Sequence, residues 1–186
     1  MSTIVLAISG SSRKGSITMK LIRAFEQLAP RNIEFRIADL STLPLYNQDL
    51  ELPEPDFLKN FKKQIKNVDA ILFVTPEYNR SYPPLLKNAL DWASRPPSTV
   101  EEKTWYGKPA AIAGMSPHSL GAFGAVQHLR QVLTNLNMPT MQQPEFYLTN
   151  ASEKFDINDI LIDEVTKEQI HKFWSEFVVF IHRFKH

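Results

Sequence analysis

Short, almost unbroken apolar runs alternate along this chain with stretches whose apolar residues recur at helical spacing. The clearest run is 70–74, Ala-Ile-Leu-Phe-Val, which offers no face to solvent. Such a strand is typical of a parallel sheet covered by helices on both faces, because water reaches neither side of it. The predicted strands are Thr3–Ser9, Ile33–Ala38, Ala70–Thr75, Ala110–Met115 and a weaker one at Met138–Gln142.

Helical periodicity fills the intervals between these strands. It predicts five helices, over 17–28, 56–67, 83–94, 121–136 and 167–184. The last helix is expected to begin with a capping box formed by Thr166 and Gln169. The order of elements predicts an α/β fold, namely a doubly wound, five-stranded parallel sheet of flavodoxin-like order 2-1-3-4-5 with helices on both faces. The length of 186 residues favours a single domain over 1–186.

Composition and charge exclude several classes of function. The chain has no cysteine, which excludes disulfides, thiolate metal sites and cysteine nucleophiles. Its five histidines lack the spacing of metal ligands, so we expect no metal. A net charge of +1 creates no field that would favour nucleic acid or a membrane surface. The N-terminus has no secretion-signal pattern and no apolar run long enough to span a bilayer, so the expected location is cytoplasmic.

The most informative loop, residues 9–16, follows the first strand and reads Ser-Gly-Ser-Ser-Arg-Lys-Gly-Ser. Backbone N–H groups at a helix N-terminus, hydroxyls and one guanidinium can together hold a phosphate dianion. The loop lacks the three glycines of the dinucleotide fingerprint and the Gly-Lys-Ser/Thr of a Walker A loop. A single terminal phosphate, as in a mononucleotide, therefore fits best. The alternative interpretation is a serine-rich capping turn with an exposed Arg13.

The loop after the third predicted strand carries groups suited to a planar ligand. Prolines stiffen it, Tyr78 offers an aromatic face, and the Asn79 amide can both donate and accept. In the predicted strand order this loop lies beside the first one. The alternative interpretation is a proline-rich start of a helix, with Glu77 as a solvated charge.

The loop after the fourth predicted strand, residues 114–124, consists largely of small residues. Ser116 and the amides around Gly121 could donate to the same planar ligand. His118 could act as a general acid, although a polar loop residue is the simpler interpretation.

These segments together resemble the NADPH-dependent FMN reductase family, a flavodoxin-like group that includes quinone, chromate and azo-dye reductases. Gly10, Ser11, Arg13 and Ser16 match the family's first motif, and residues 76–92 match its pattern P-E-Y-N-x-S-x-P-x-x-L-K-N-A-x-D-W. The resemblance covers about residues 3–148. Two departures stand out: Thr18 replaces the family's usual Asn, and the third loop is poorer in glycine than in relatives.

The resemblance implies FMN as the bound cofactor and NADPH or NADH as the electron donor. Because the flavin carries the chemistry, no catalytic side chain is expected. Hydride would pass through FMN to a small-molecule acceptor, which could be a quinone, an azo compound, a metal oxyanion or free flavin, in a ping-pong sequence. The implied FMN-binding residues are Ser11, Arg13, Ser16, Ile17 and Thr18 at the phosphate, Pro76, Glu77, Tyr78 and Asn79 at one edge of the rings, and Ser116 and Gly121 at the other side.

Members of this family are usually dimers or tetramers, so the resemblance also implies a homodimer or homotetramer. The helix of His128 and Arg130, together with the loop before it, is our candidate for the interface, where Arg130 and Glu145 could also form an ion pair. Two other functions stay open: a flavodoxin-type electron carrier, which would usually be strongly acidic, and a flavin-binding regulator without turnover. The long loops 40–55 and 95–108 are interpreted either as surface loops or as borders of a site or subunit contact.

Overall fold

Five parallel strands form the centre of the computed structural model, which describes residues 2–95 and 103–184. Their bounds are β1 Thr3–Ser9, β2 Ile33–Ile37, β3 Ala70–Thr75, β4 Ala110–Met115 and β5 Phe146–Leu148. The strand order is β2-β1-β3-β4-β5, and every neighbouring pair is parallel. β3 and β4 are buried at every position, as their apolar sequences require. The predicted fold class is therefore confirmed.

Helices cover both faces of this sheet. They are α1 Ile17–Gln27, α2 Asp56–Lys66, α3 Pro84–Ala93, α4 Phe123–Asn135 and α5 Glu164–His182. Helices α1 and α5 share one apolar core with the sheet, and α2, α3 and α4 share a second core on the opposite face. Short 3₁₀ helices lie at Gln48–Leu50 and Ala151–Lys154.

The predicted position of the fifth strand is wrong. Residues 138–142 contribute only an isolated bridge between Thr140 and Ala110, whereas β5 begins at Phe146. Phe146 is buried against Phe25 and Phe173, with ring centroids 5.2 and 5.8 Å away. A strand of three residues is too short to show a period, so its position depends on this packing between distant aromatic rings.

The predicted capping box of the last helix is also wrong. Asp163 caps α5, because its carboxylate accepts from the Thr166 N–H at 2.9 Å and from the Thr166 hydroxyl at 2.6 Å. Hydrogen bonds from Lys154 and Thr166 lower the pKa of Asp163 to about 2. An ionised carboxylate is a strong cap for a helix N-terminus, and the helix therefore begins three residues earlier than predicted.

The two long loops have structural partners in the described residues. Asn88 and Trp92 on α3 each donate to the Pro44 carbonyl at 2.8 Å, which holds the segment after β2 against α3. Trp105 is buried, and its indole N–H donates to the Leu90 carbonyl at 3.2 Å. Residues 96–102 of the second loop lie outside the described residues.

Candidate active site

The loops that follow β1 and β3 touch at one glycine at the carboxyl edge of the sheet. The Gly10 N–H donates to the Val74 carbonyl at 2.8 Å. A Cβ on Gly10 would lie 2.8 Å from Pro76 Cδ and 3.1 Å from Thr75 Oγ1. Only glycine therefore allows the two backbones to approach this closely. We refer to residues 10–16 as the β1–α1 loop and to residues 76–83 as the β3–α3 loop.

The β1–α1 loop is held by hydrogen bonds between near neighbours. The Ser9 hydroxyl accepts from the Ser11 N–H at 3.1 Å and donates to the Ser11 carbonyl at 2.9 Å. The Ser11 hydroxyl accepts a longer bond of 3.4 Å from the Arg13 N–H. The exposed Arg13 guanidinium donates to the Gly15 carbonyl at 3.3 Å. These bonds leave the remaining guanidinium N–H groups and the Ser11 hydroxyl proton available to a ligand.

The N-terminus of α1 lacks the groups that usually satisfy a first helical turn. Its N-cap residue Ser16 makes no side-chain capping bond, and the first turn contains no acidic residue. The first N–H bonded in the regular helical manner is that of Lys20, which donates to the Ser16 carbonyl at 3.1 Å. The amides of Ile17 and Thr18 therefore have no acceptor within the helix and are open to an anion.

Thr18 presents its side chain to the core rather than to this anion site. It is 2% exposed, and its hydroxyl donates to the sulfur of Met115 at 3.4 Å. The Thr18 hydroxyl is thus bonded to Met115 in this structure, and a contact between Thr18 and a phosphate stays a prediction. What Thr18 offers at the helix N-terminus is its backbone N–H.

The β3–α3 loop contains a tight turn. The Tyr78 N–H donates to the Ser81 carbonyl at 2.8 Å, and the Ser81 N–H donates back to the Tyr78 carbonyl at 2.9 Å. Asn79 and Arg80 have φ of 50° and 66°, the pattern of a type I′ turn. The Tyr78 N–H is therefore already bonded within the turn and cannot also donate to a ligand.

Two amides of the predicted ring-binding segment remain for a ligand. Pro76 has no N–H, and the Tyr78 N–H is bonded within the turn. Across residues 2–95 and 103–184, no acceptor meets the N–H groups of Glu77 and Asn79. The Tyr78 ring is 52% exposed beside them. This edge can thus offer two donors and one aromatic face.

The carboxylate of Glu77 joins the β3–α3 loop to α4. One oxygen accepts from the Ala125 N–H at 3.1 Å, and the other accepts from the Arg80 guanidinium at 3.4 Å. Helix α4 has Ala122 as its N-cap residue and no capping side chain of its own. Glu77 is therefore a cap supplied from another element. Sequence reasoning missed this role, although the lack of any local cap before α4 was a usable signal.

Gly124 makes room for this contact. A Cβ there would lie 2.8 Å from the Arg80 carbonyl oxygen and 3.0 Å from the Glu77 carboxylate. The first turn of α4 is thereby packed directly against the β3–α3 loop.

Residues 116–122, the β4–α4 loop, form the third border of the site. The Ser116 hydroxyl accepts from the His118 N–H at 3.0 Å, and its own proton stays free for a ligand. Gly121 has φ of +57°, and a Cβ there would lie 2.7 Å from the Cβ of Tyr147. The positive φ and the close contact with Tyr147 both require glycine at position 121. His118 is exposed, and its carbonyl accepts from the Asn150 N–H at 3.1 Å.

A polar cluster on α4 and β5 lies beside this third loop. The Tyr147 hydroxyl donates to Glu145 at 2.7 Å and accepts from Gln127 at 3.0 Å. Burial and the bond to Glu145 raise the pKa of Tyr147 to about 12, so the phenol is neutral at physiological pH. Arg130 donates within the chain to the Met141 carbonyl at 3.0 Å.

Three sets of groups therefore meet at one edge: an uncapped helix N-terminus with Arg13, two free amides beside Tyr78, and the Ser116 hydroxyl. The first set suits a phosphate, and the other two suit a planar heterocycle with polar edges. Within residues 2–95 and 103–184, no cluster of acidic and histidine side chains could hold a metal ion. No helix in those ranges is long and apolar enough to cross a membrane.

The comparisons with known proteins agree with this chemistry. Residues 3–153 match the family described as NADPH-dependent FMN reductase. The chain is 42% identical over 178 residues to a quinone reductase of Pseudomonas putida, covering 95% of this chain and 94% of the relative. It is 42% identical over 169 residues to an NAD(P)H-dependent FMN reductase of Pseudomonas aeruginosa, covering 90% and 89%.

A solved structure extends the likeness to the whole fold. FerB, a flavoenzyme NAD(P)H:(acceptor) oxidoreductase of Paracoccus denitrificans, superposes with a TM-score of 0.89 at 37% identity, covering 97% of this chain and 98% of FerB. Motif, fold and full-length similarity agree, and this chain belongs to the NADPH-dependent FMN reductase family, as an oxidoreductase that uses FMN and NAD(P)H.

Proposed function

We propose that this protein oxidises NADPH or NADH and reduces a quinone through FMN bound at the carboxyl edge of the sheet. The names of the relatives from the two Pseudomonas species support the reaction type. The observation that carries the proposal is the uncapped N-terminus of α1 beside Arg13, at the same edge as the free amides of the β3–α3 loop. We extend the proposed acceptors to azo compounds, metal oxyanions and free flavin, because each of these can take electrons from a reduced flavin.

The residues at the first loop fit the phosphate of FMN. The Ile17 and Thr18 amides and the partial positive charge of the helix N-terminus would stabilise a dianion. Arg13 would add a charge-assisted, bidentate contact, and the Ser11 and Ser16 hydroxyls would donate from the sides. Within residues 2–95 and 103–184 the Arg13 guanidinium makes one hydrogen bond, of 3.3 Å to the Gly15 carbonyl, so binding the phosphate would break no strong interaction.

The residues at the second and third loops fit the ring system. The Glu77 and Asn79 amides would donate to its polar edge, with Tyr78 lying beside it and Pro76 fixing the start of the turn. Ser116 and the backbone at Gly121 would border the opposite side. In this proposal the Glu77 carboxylate acts indirectly, since it holds the turn in place through the Ala125 N–H.

FMN supplies the two-electron hydride chemistry when it is bound. The chain itself orients the rings and keeps one side of the site open to planar reactants. Tyr78 and Leu120 are 52% and 51% exposed and offer apolar contacts to such reactants. We propose that the donor and the acceptor use this open side in turn, which predicts ping-pong kinetics.

We also propose that the protein assembles as a homodimer or homotetramer through the face of α4. Phe123 is exposed there, with its ring centroid 5.6 Å from that of Tyr147. His128 and Arg130 lie further along the same helix. Light scattering of the purified protein tests this assembly, and a monomer at micromolar concentration would contradict it.

The direct test of function is a spectrum of the purified protein followed by anaerobic addition of NADPH. We expect flavin absorbance that bleaches with NADPH and returns with 1,4-benzoquinone. A flavodoxin-type carrier would bleach only after a separate reductase was added. A flavin-binding regulator would bind FMN without turnover, and a protein that cannot be reconstituted with FMN would overturn the proposal.

A further inference from the structure

The chain that follows β5 holds the loop that carries Ser116. The Ser116 N–H donates to the Leu148 carbonyl at 2.9 Å, which continues the pairing of β4 with β5. The Ala151 N–H donates to the Ser116 carbonyl at 3.0 Å. The Asn150 N–H donates to the His118 carbonyl at 3.1 Å. The β4–α4 loop is therefore tied to the end of β5 by three backbone hydrogen bonds.

Asn150 has the left-handed backbone conformation that this arrangement needs, with φ of 47° and ψ of 39°. A left-handed residue in a turn directs successive N–H groups to the same side of the chain. The amides of Asn150 and Ala151 can thus both reach the β4–α4 loop. Asparagine is one of the few residues besides glycine that adopt this conformation readily, whereas a β-branched residue opposes it.

These bonds leave Ser116 with one free polar group. Its N–H and its carbonyl are both bonded to the chain at the end of β5. Its Oγ accepts from the His118 N–H at 3.0 Å. Within residues 2–95 and 103–184 no acceptor meets the hydroxyl proton, which is the group proposed above to donate to the rings. The position of this donor therefore depends on the chain beyond β5.

The supporting chain is itself anchored in the core. Ala151 is fully buried. Phe155 and Leu161 form an antiparallel bridge and are buried in the core that α1 and α5 share. Lys154 forms an ion pair with Asp163 at 2.8 Å. A donor supported by such a fixed second layer keeps its geometry when a ligand binds.

We propose that Asn150 is a positioning residue, whose left-handed backbone places the Ser116 hydroxyl against the rings of FMN. The inference rests on the proposed function, because it requires the rings to lie beside Ser116. A hydrogen bond to the rings favours the electron-rich reduced flavin over the oxidised form, since hydrogen bonds to ring atoms tune the cofactor's electronics. Asn150 should therefore affect both FMN affinity and the reduction potential, and it should do so through Ser116.

The test compares Asn150→Val with Asn137→Val. Asn137 is also an exposed asparagine with a left-handed φ, of 54°, but it follows α4 and its carbonyl accepts from the Gly107 N–H at 3.0 Å, at the opposite edge of the sheet. Both substitutions should lower the unfolding temperature by similar amounts, because valine opposes a positive φ at either position. Should a valine variant not fold, alanine replaces it at both positions.

Only the change at position 150 should reach the cofactor. Asn150→Val should weaken FMN binding to the FMN-free protein about fivefold, the size of one hydrogen bond, and lower the midpoint potential of the bound flavin. Asn150→Gly keeps the left-handed conformation and should restore both values. Equal effects of Asn150→Val and Asn137→Val on FMN binding would overturn the positioning role while the proposed function stood.

A double-mutant cycle tests whether Asn150 acts through Ser116. Ser116→Ala alone should also weaken FMN binding about fivefold. The combination with Asn150→Val should then be no weaker than Ser116→Ala. Additive losses, or FMN binding unchanged in Ser116→Ala, would overturn the inference alone. Wild-type protein that cannot be reconstituted with FMN would overturn the proposed function and the inference with it.

Discussion

The two loops that meet at Gly10 are held in place by different kinds of contact. In the β1–α1 loop, apart from the bond between Gly10 and Val74, hydrogen bonds join residues two or three positions apart, such as Ser9 with Ser11. In the β3–α3 loop, the Glu77 carboxylate bonds to the Ala125 N–H, 48 positions along the chain. The first loop therefore takes its shape from its own sequence, whereas the second depends on the packing of α4. Changes in the first loop should alter ligand binding alone, and changes in the second should alter stability as well.

The largest expected effect is that of Arg13→Ala on FMN binding. Loss of a charged hydrogen bond should weaken FMN binding by roughly 1.5–3 kcal/mol. The free energy of unfolding of the FMN-free protein should change by less than about 0.5 kcal/mol, because the side chain is exposed. Fluorescence titration of FMN and urea unfolding measure the two quantities.

Lys14→Ala is the matched control for Arg13→Ala, since Lys14 is an exposed cation at the next position. It should affect FMN binding much less. An equal loss in both variants would mean that the loop attracts the phosphate by its general charge and not through the Arg13 guanidinium.

The next effect, that of Glu77→Ala, tests the long-range contact. It removes the only cap that the described residues give α4, so the free energy of unfolding should fall by about 1–2 kcal/mol. FMN binding should weaken too, because the turn loses its support. Glu77→Gln keeps an oxygen that can accept from the Ala125 N–H, so it should lose less stability and less FMN affinity than Glu77→Ala. Full stability combined with weak FMN binding would show instead that the Glu77 carboxylate contacts the flavin itself.

The difference between the loops also explains what the sequence could predict. Each β-α unit is a local pattern, so four of the five strands and all five helices lie at or near their predicted positions. The motif residues of the three loops do meet at one edge, because parallel strands end there together. The capping of α4 by the Glu77 carboxylate could not be predicted in this way, because the N–H group that it accepts from belongs to Ala125 on a distant helix.

The start of α5 was predicted wrongly for a related reason. Thr166 and Gln169 have the spacing of a capping box, but Asp163 precedes them and is ionised, with Lys154 at 2.8 Å. The ionised Asp163 carboxylate is a stronger hydrogen-bond acceptor than the Thr166 hydroxyl, so Asp163 and not Thr166 caps the helix. A pattern of residues identifies candidates for a contact, whereas the packing of distant elements decides which candidate makes it.

The smallest expected effect is that of Thr18→Val, which distinguishes backbone from side-chain recognition in the first loop. The hydroxyl donates to the sulfur of Met115, 97 positions along the chain, so the first turn of α1 is also tied to a distant element. If the amides of α1 hold the phosphate, FMN affinity should stay within about twofold, because valine preserves the shape and the backbone N–H. Ser16→Ala removes a nearby hydroxyl and should cost about 0.5–1.5 kcal/mol of FMN binding. Equal losses in the two variants would mean that the Thr18 hydroxyl turns from Met115 to the phosphate when FMN binds.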